Sequence, residues 1–222
     1  DLEVDPSEAH DLAATSPAKL AALRSSLERD DGRRPAALLS SAPQAEAEAR
    51  GPRRTLVYEG TTRAIPETLS VPIFDRSHAI TAHVRVAERG ELDGVLATCG
   101  GRFGGYAFYV SHGKLTYVHN YVGDERYVIE ATDPIHPGER ELRFTFERTG
   151  TNAGRGRLYI DGVLTGEGDV EHTVPRVFSV NEPCATGLDT GTPAGDYPVP
   201  SAFTGRLHDV TITLEDAASP RG

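Results

Sequence analysis

Between Thr55 and Leu214 the apolar residues recur at every second position, in short runs separated by glycine-rich turns. Ile80, Ala82, Val84 and Val86 alternate with Thr81, His83 and Arg85. Leu142, Phe144 and Phe146 alternate with Arg143, Thr145 and Glu147, and Val210, Ile212 and Leu214 share one face. Successive side chains of a strand point to opposite faces, so a period of two is the pattern of half-buried antiparallel strands. Tyr106, Phe108 and Val110 lead through Ser111-His-Gly-Lys114 into Leu115, Tyr117, His119 and Tyr121, which reads as a hairpin. A second hairpin turns at Asp161-Gly162, residue types that accept the positive φ angles of a two-residue turn. With further strands at Arg126–Ala131 and Phe178–Val180, the count reaches about ten short strands, which implies a sandwich or jelly roll.

The 222 residues suffice for one medium domain with appendages. A net charge of -10 gives no electrostatic footprint for nucleic acid or an anionic membrane, so neither is expected as a partner. No apolar run approaches the roughly 18 residues of a membrane span, and no signal peptide opens the sequence. The chain contains no methionine, which points to a fragment or processed product. Ser16 as N-cap, Pro17 at the first helical position and Leu20, Leu23 and Leu27 at helical spacing predict a short amphipathic helix within residues 1–29. Residues 30–54, rich in Arg, Pro and Ala, predict a flexible linker. The β domain is then 55–216, with a frayed tail at 217–222. Cys99 lies in an apolar strand and Cys184 in a polar loop; the two can pair only if the fold brings them together, and an isolated strand cysteine reads first as a small buried hydrophobe.

Several segments resemble the C-terminal region of bacterial arylsulfatases: Gly100-Gly-Arg-Phe-Gly-Gly-Tyr106, Gly156-Arg-Leu-Tyr-Ile-Asp-Gly162, Leu188-Asp-Thr-Gly-Thr-Pro193 and, more weakly, the acidic opening Asp1–Leu12. The resemblance covers Gly60–Leu214 well. It implies a concanavalin A or laminin-G-like antiparallel β-sandwich that packs against a sulfatase catalytic domain, here represented only by its tail at 1–29. Sulfate ester hydrolysis in that family uses a formylglycine made from a Cys-x-Pro-x-Arg or Ser-x-Pro-x-Arg motif. Neither Cys99-Gly-Gly-Arg-Phe103 nor Cys184-Ala-Thr-Gly-Leu188 matches it, and Ser41-Ala-Pro and Ser70-Val-Pro lack the arginine. Catalytic residues are therefore expected in a domain outside this sequence, as is the family's Ca2+.

Other chemistry finds little footing. The eight histidines are scattered and read as surface imidazoles, with His78 and His83 on opposite faces of one strand. Asn181, Asp189 and Asp196 offer hard oxygen ligands in a Gly/Pro loop, though such loops are ordinarily turns. Glu125, Glu130, Glu147 and Asp209 lie in or beside strands but carry no spacing that pairs two carboxyls as a glycosidase requires. The glycines of Gly100–Gly105 lack the Gly-Lys-Ser/Thr of a phosphate loop and suit a tight strand connection instead. Binding is the stronger expectation. Tyr106 and Tyr121 offer rings for a sugar to stack on, Arg102 and His119 suit a sulfate or carboxylate, and Asp189 and Asp196 sit in the Glu182–Pro198 loop, which the resemblance implies forms part of the catalytic-domain contact or of the substrate entrance. The expected partners are the sulfatase catalytic domain and a sulfated glycan or aryl sulfate; a free-standing lectin or laminin-G-like module is the alternative.

Overall fold

The computed structural model describes residues 17–19, 21, 55–179 and 181–215. Pro17–Lys19 and Ala21 are helical; the rest of the expected helix, the linker and the tail lie outside the described residues. The chain divides into two units, Asp1–Gly51 and Pro52–Gly222, and the second is the β domain.

Among its described residues this domain has fourteen strands: β1 (Thr55–Glu59), β2 (Thr62–Ile65), β3 (His78–Val86), β4 (Gly94–Gly101), β5 (Gly104–Ser111), β6 (Lys114–Tyr121), β7 (Glu125–Pro134), β8 (Gly138–Gly150), β9 (Ala153–Ile160), β10 (Val163–Val170), β11 (Cys184–Thr186), β12 (Leu188–Asp189), β13 (Ser201–Ala202) and β14 (Arg206–Leu214). One sheet runs β1-β14-β3-β8-β9-β10. The other runs β12-β13-β4-β5-β6-β7, with β11 pairing both β4 and β2. Every pairing is antiparallel except β13 with β4. This is the mainly β, antiparallel two-sheet sandwich that the alternation implies.

The expected hairpins form. His112 and Gly113, at φ 49° and 75°, turn β5 into β6, and Asp161 and Gly162, at φ 50° and 79°, turn β9 into β10. At the β4–β5 turn Gly100 has φ 76° and faces Gly105, and a Cβ on either would collide with the backbone of the other strand. Glycine there is a steric requirement of the close approach, as expected for a strand connection.

Alternation assigns the core. Ile80, Ala82 and Val84 of β3, Leu142, Phe144 and Phe146 of β8, and Val210, Ile212 and Leu214 of β14 face Leu96, Phe108, Leu115, Tyr117 and Ile129 of the opposing sheet. Phe144 stacks on Tyr117 with ring centroids 3.5 Å apart, which joins the two sheets directly. Each such fully buried side chain contributes about 1.5–3 kcal/mol by leaving water.

Three expectations need correction. Cys99 and Cys184 form a disulfide. Cys184 is not in a loop: it opens β11, whose antiparallel register with β4 sets it directly opposite Cys99. Phe178 is buried but belongs to no strand, because its N–H and that of Ser179 are taken by the Glu67 carboxylate of a 3₁₀ turn (Glu67–Leu69) rather than by a neighbouring strand. The histidines are not all at the surface, since His78 and His119 are buried on the inner faces of β3 and β6.

The disulfide closes a loop of 85 residues. Long loops lose most chain entropy when cross-linked, so the Cys99→Ala/Cys184→Ala variant is expected to unfold at lower urea, with a loss of about 2–4 kcal/mol. Reductant should move the wild-type transition in the same direction and leave the variant's unchanged.

Candidate ligand-binding face

The outer face of the eight-stranded sheet follows from strand register. Val95, Tyr109, Thr116 and Glu130 form one row across β4, β5, β6 and β7; Thr98, Ala107, Val118 and Val128 form the next; Gly100, Gly105, Asn120 and Arg126 form the third. The intervening rows point inward and contain Cys99, Tyr106, His119 and Tyr127, and then Ala97, Phe108, Tyr117 and Ile129. One hairpin thus sends Tyr106 into the core and Tyr109 to the opposite face.

Residues 190–200 fold down over half of this outer face. Ala194 and Tyr197 pack on Val95, Ala107, Tyr109 and Val118, a small apolar cluster separate from the main core. The rings of Tyr109 and Tyr197 lie 4.9 Å apart. Gly195 crosses Val118 so closely that a Cβ would sit 2.8 Å from its Cγ1, which only glycine permits without displacing the loop. Asp189 holds the loop in place. One carboxylate oxygen accepts the Gly191 N–H at 2.9 Å and the other accepts the Tyr197 hydroxyl at 2.8 Å. Burial raises the Asp189 pKa, and these two bonds oppose the rise.

Beyond Gly195 the face is open. Val128 is 59 % exposed, and Arg126, Glu130 and Asp196 are also exposed. The Tyr109 ring is 4 % exposed; burial pushes its phenol up to about 12, with Asp196 and then Glu130 adding to the rise and Arg126 opposing it. Arg126, Val128 and Glu130 alternate along the outer side of β7, with Glu130 in the same row as Tyr109. Lys114 Nζ donates to Glu130 Oε1 at 2.9 Å along the rim.

A second concavity of about 510 Å³ lies where Pro66, Glu67 and Thr68 meet Val177, Ser179 and the Asn181–Pro183 segment. Its carboxylates are largely spoken for. Glu67 accepts the Phe178 and Ser179 N–H groups at 3.1 and 3.0 Å, and its pKa is raised by burial against the pull of those bonds. Glu182 Oε1 accepts the Thr192 hydroxyl at 2.7 Å, while Oε2 is buried without a partner among the described residues.

The six residues expected to bind ligand are not gathered in one place. Tyr106 and His119 lie in the core, where Tyr106 meets the edge of Phe178 at 5.4 Å and His119 does so at 5.9 Å; inward alternation and burial remove both from any ligand. Asp189 is buried and structural. Tyr121 is half-buried with its ring 5.4 Å from His172, beside the linked side chains of Tyr127, Glu125 and His172. Arg102 is exposed at the β4–β5 turn, its guanidinium 5.8 Å from the Phe103 ring and its N–H donated to Thr192 Oγ1 at 2.8 Å. Asp196 alone borders the open face. Tyr109, Arg126, Val128 and Glu130 complete it, and the register of the β5–β6 hairpin was the signal that could have turned Tyr109 outward.

The carboxylates considered for hydrolysis each have a partner: Glu125 with His172, Glu130 with Lys114, Glu147 with Arg157 and Asp209 with His83. Of the oxygen ligands weighed for calcium, those of Asp189 are engaged in holding the loop. Among the described residues no cluster of three or more His, Cys, Asp or Glu side chains is placed to hold a metal ion, and no helix is long and apolar enough to cross a membrane.

No protein-family model and no curated protein sequence matches the chain. Among solved structures it is similar to the CBM40 of the Ruminococcus gnavus IT-sialidase, at 12 % identity and TM-score 0.49 over 73 % of this chain and 94 % of that one. It is also similar to domains LG4-5 of the mouse laminin alpha1 chain, at 14 % identity and TM-score 0.47 over 75 % of this chain and 43 % of that one. A third is the native heptameric SAP-like pentraxin from Limulus polyphemus, at 14 % identity and TM-score 0.42 over 75 % and 73 %.

Tyr197→Phe keeps the ring on Tyr109 but leaves the buried Asp189 carboxylate one donor short. The expected cost is about 1–2 kcal/mol in urea unfolding. It should be accompanied by a further rise in the Asp189 pKa and by faster amide exchange through residues 189–198.

Proposed function

We propose that the β domain is a non-catalytic module that binds carbohydrate on the outer face of its eight-stranded sheet, at the step between the 190–200 loop and Val128. The outward row of Arg126, Val128 and Glu130 along β7, exposed next to Val118, on which the loop carrying Asp196 packs through Gly195, is the observation that carries this reading. A pyranose presents a face of C–H groups and a rim of hydroxyls. Val128 meets the first; the two carboxylates accept from the second while the guanidinium donates to it, each as a charge-assisted hydrogen bond. Asp196 and Arg126 beside a Glu130 already paired with Lys114 leave no net positive charge to hold an anion, so a neutral sugar is favoured over a sulfated one. The ligand differs in this respect from the sulfated glycan or aryl sulfate that the sequence resemblance implies. The Cys99–Cys184 disulfide supports an oxidising setting outside the reducing cytosol, where glycans are met.

A second reading, an accessory domain of an arylsulfatase-like protein, is favoured by one contact. The two segments that most resemble that family, Gly100–Tyr106 and Leu188–Pro193, meet through the Arg102 N–H to Thr192 Oγ1 bond. Phe103, 77 % exposed beside Arg102, would then face a sulfatase catalytic domain carrying the formylglycine motif and Ca2+.

Binding of the 222-residue chain to an array of neutral and sulfated oligosaccharides separates the readings. The module should retain neutral glycans. Arg126→Ala and Asp196→Ala should each weaken binding about tenfold or more, equivalent to about 1.4 kcal/mol, without changing stability, and no aryl sulfate should be turned over. Unchanged affinity in both variants would remove the sheet face as the site. Absence of any glycan binding, with capture of a sulfatase catalytic domain lost in Phe103→Ser, would favour the accessory-domain reading.

A further inference from the structure

Two imidazoles occupy the interior of the sandwich, one on each sheet. His78, 4 % exposed on β3, stacks on Phe146 at 5.4 Å and leans on Phe144 at 5.9 Å. Its Nδ1 lies 2.7 Å from the Arg76 carbonyl oxygen, so Nδ1 carries the proton and donates it, and Nε2 is left as a bare lone pair with no partner among the described residues. His119, 5 % exposed on β6, meets the edge of Phe178, and its Nε2 is also unpartnered. Phe144 in turn stacks on Tyr117, so an aromatic layer fills the space around both rings.

Among the described residues no anion is hydrogen-bonded to either ring. The titratable groups turned toward them are Tyr106 and Tyr117, whose own pKa values burial raises. Among the groups on surrounding elements, Tyr127 opposite His119 is tied to Glu125 and His172. Glu67 spends both oxygens on the backbone at Phe178 and Ser179. Near His78, Asp75 pairs with Arg148 and Glu215 with Arg143. Tyr58 donates to Ser70.

We propose that this pair of unpartnered core imidazoles makes the domain an acid-releasing sandwich, which holds its two sheets together at neutral pH and opens as the medium acidifies. The closed core cannot accept two protons that the opened chain accepts readily. Burial pushes both imidazoles down to about 4, with the Arg76 carbonyl opposing the shift of His78 and a charge on His78 adding to that of His119. The folded values lie below the ordinary 6.5, so the stabilisation is complete above about pH 6.5 and is lost as pH falls from there toward 4. Each imidazole can move the folding equilibrium by about 10²-fold over that window. The exposed His83, whose pKa Asp209 raises through a hydrogen bond, acts in the opposite sense and only weakly at its exposed site.

Urea unfolding of the 222-residue chain between pH 8 and 4.5, disulfide intact, tests the device alongside His78→Leu, His119→Leu and the double variant. The wild-type midpoint should fall steeply below pH 6.5, each single variant should lose part of that slope, and the double variant should keep only the shallow dependence of its carboxylates. A wild-type midpoint that holds to pH 4.5, or an unaltered slope in the double variant, overturns the proposal. Should the leucine variants not fold, imidazole ¹⁵N spectra of the wild type give the same decision. Both buried rings should remain neutral in the folded chain at pH 5.5, and either one found charged in the folded chain at pH 6 refutes the inference.

Discussion

The turn at His112–Gly113 fixes which side of the sheet every residue of β5 and β6 occupies, and much of the molecule depends on that register. It pairs Ser111 with Lys114 and therefore Tyr109 with Thr116, Ala107 with Val118 and Tyr106 with His119. Because a strand alternates faces at every residue, a slip of one position would exchange the two sets. Tyr106, Phe108 and Tyr117 would then leave the core, and the Phe144–Tyr117 stack that joins the sheets would be lost. The neighbouring β4–β5 register puts Cys99 of β4 opposite Tyr106, and so determines where β11 is fastened by Cys184.

What the sequence made legible follows from this locality. A two-residue turn and its flanking alternation are contained within about ten residues, so the β5–β6 and β9–β10 hairpins and the inward faces of β3, β8 and β14 could be read directly. Long-range pairing could not. Cys99 meets Cys184 only because Cys184–Thr186 runs back along β4, and upstream of it the Phe178 and Ser179 amides are held by the Glu67 carboxylate, more than a hundred residues away. The candidate face has the same origin. Asp196 is carried on a loop pinned by Asp189 and Tyr197, whose bonds and ring contacts no local pattern encodes. Tyrosines and histidines on a strand look alike in sequence whether they face ligand or core, which is why Tyr106 and His119 were expected at a binding site and lie instead in the interior.

The two outer halves of the eight-stranded sheet carry different energetics. Where Ala194 and Tyr197 cover it, burial of Val95, Ala107 and Val118 stabilises the loop, and Asp189 is kept satisfied although enclosed. Where the loop ends, Val128 stays exposed and charges of both signs remain in water. Charged groups at that boundary gain strength where a ligand excludes water, and on the carbohydrate-binding reading that is where binding energy would concentrate. The covered half supplies rigidity to the open half, because Gly195 and Tyr197 hold Asp196 at a fixed height above the sheet.

The disulfide and the buried imidazoles act on opposite states of the same core. Cys99 lies in the inward row that continues through Tyr106 to His119, so the covalent tie and one of the acid-sensitive groups share a single line across the sheet. The tie limits the entropy of the opened chain, whereas protonation favours that chain by giving it two charges the closed core rejects. Opening in acid would therefore leave β4 and β11 joined and the 85-residue loop closed. An opened state constrained in this way has fewer conformations to search when neutral pH returns, and both sheets can re-form around a pairing that never dissociated.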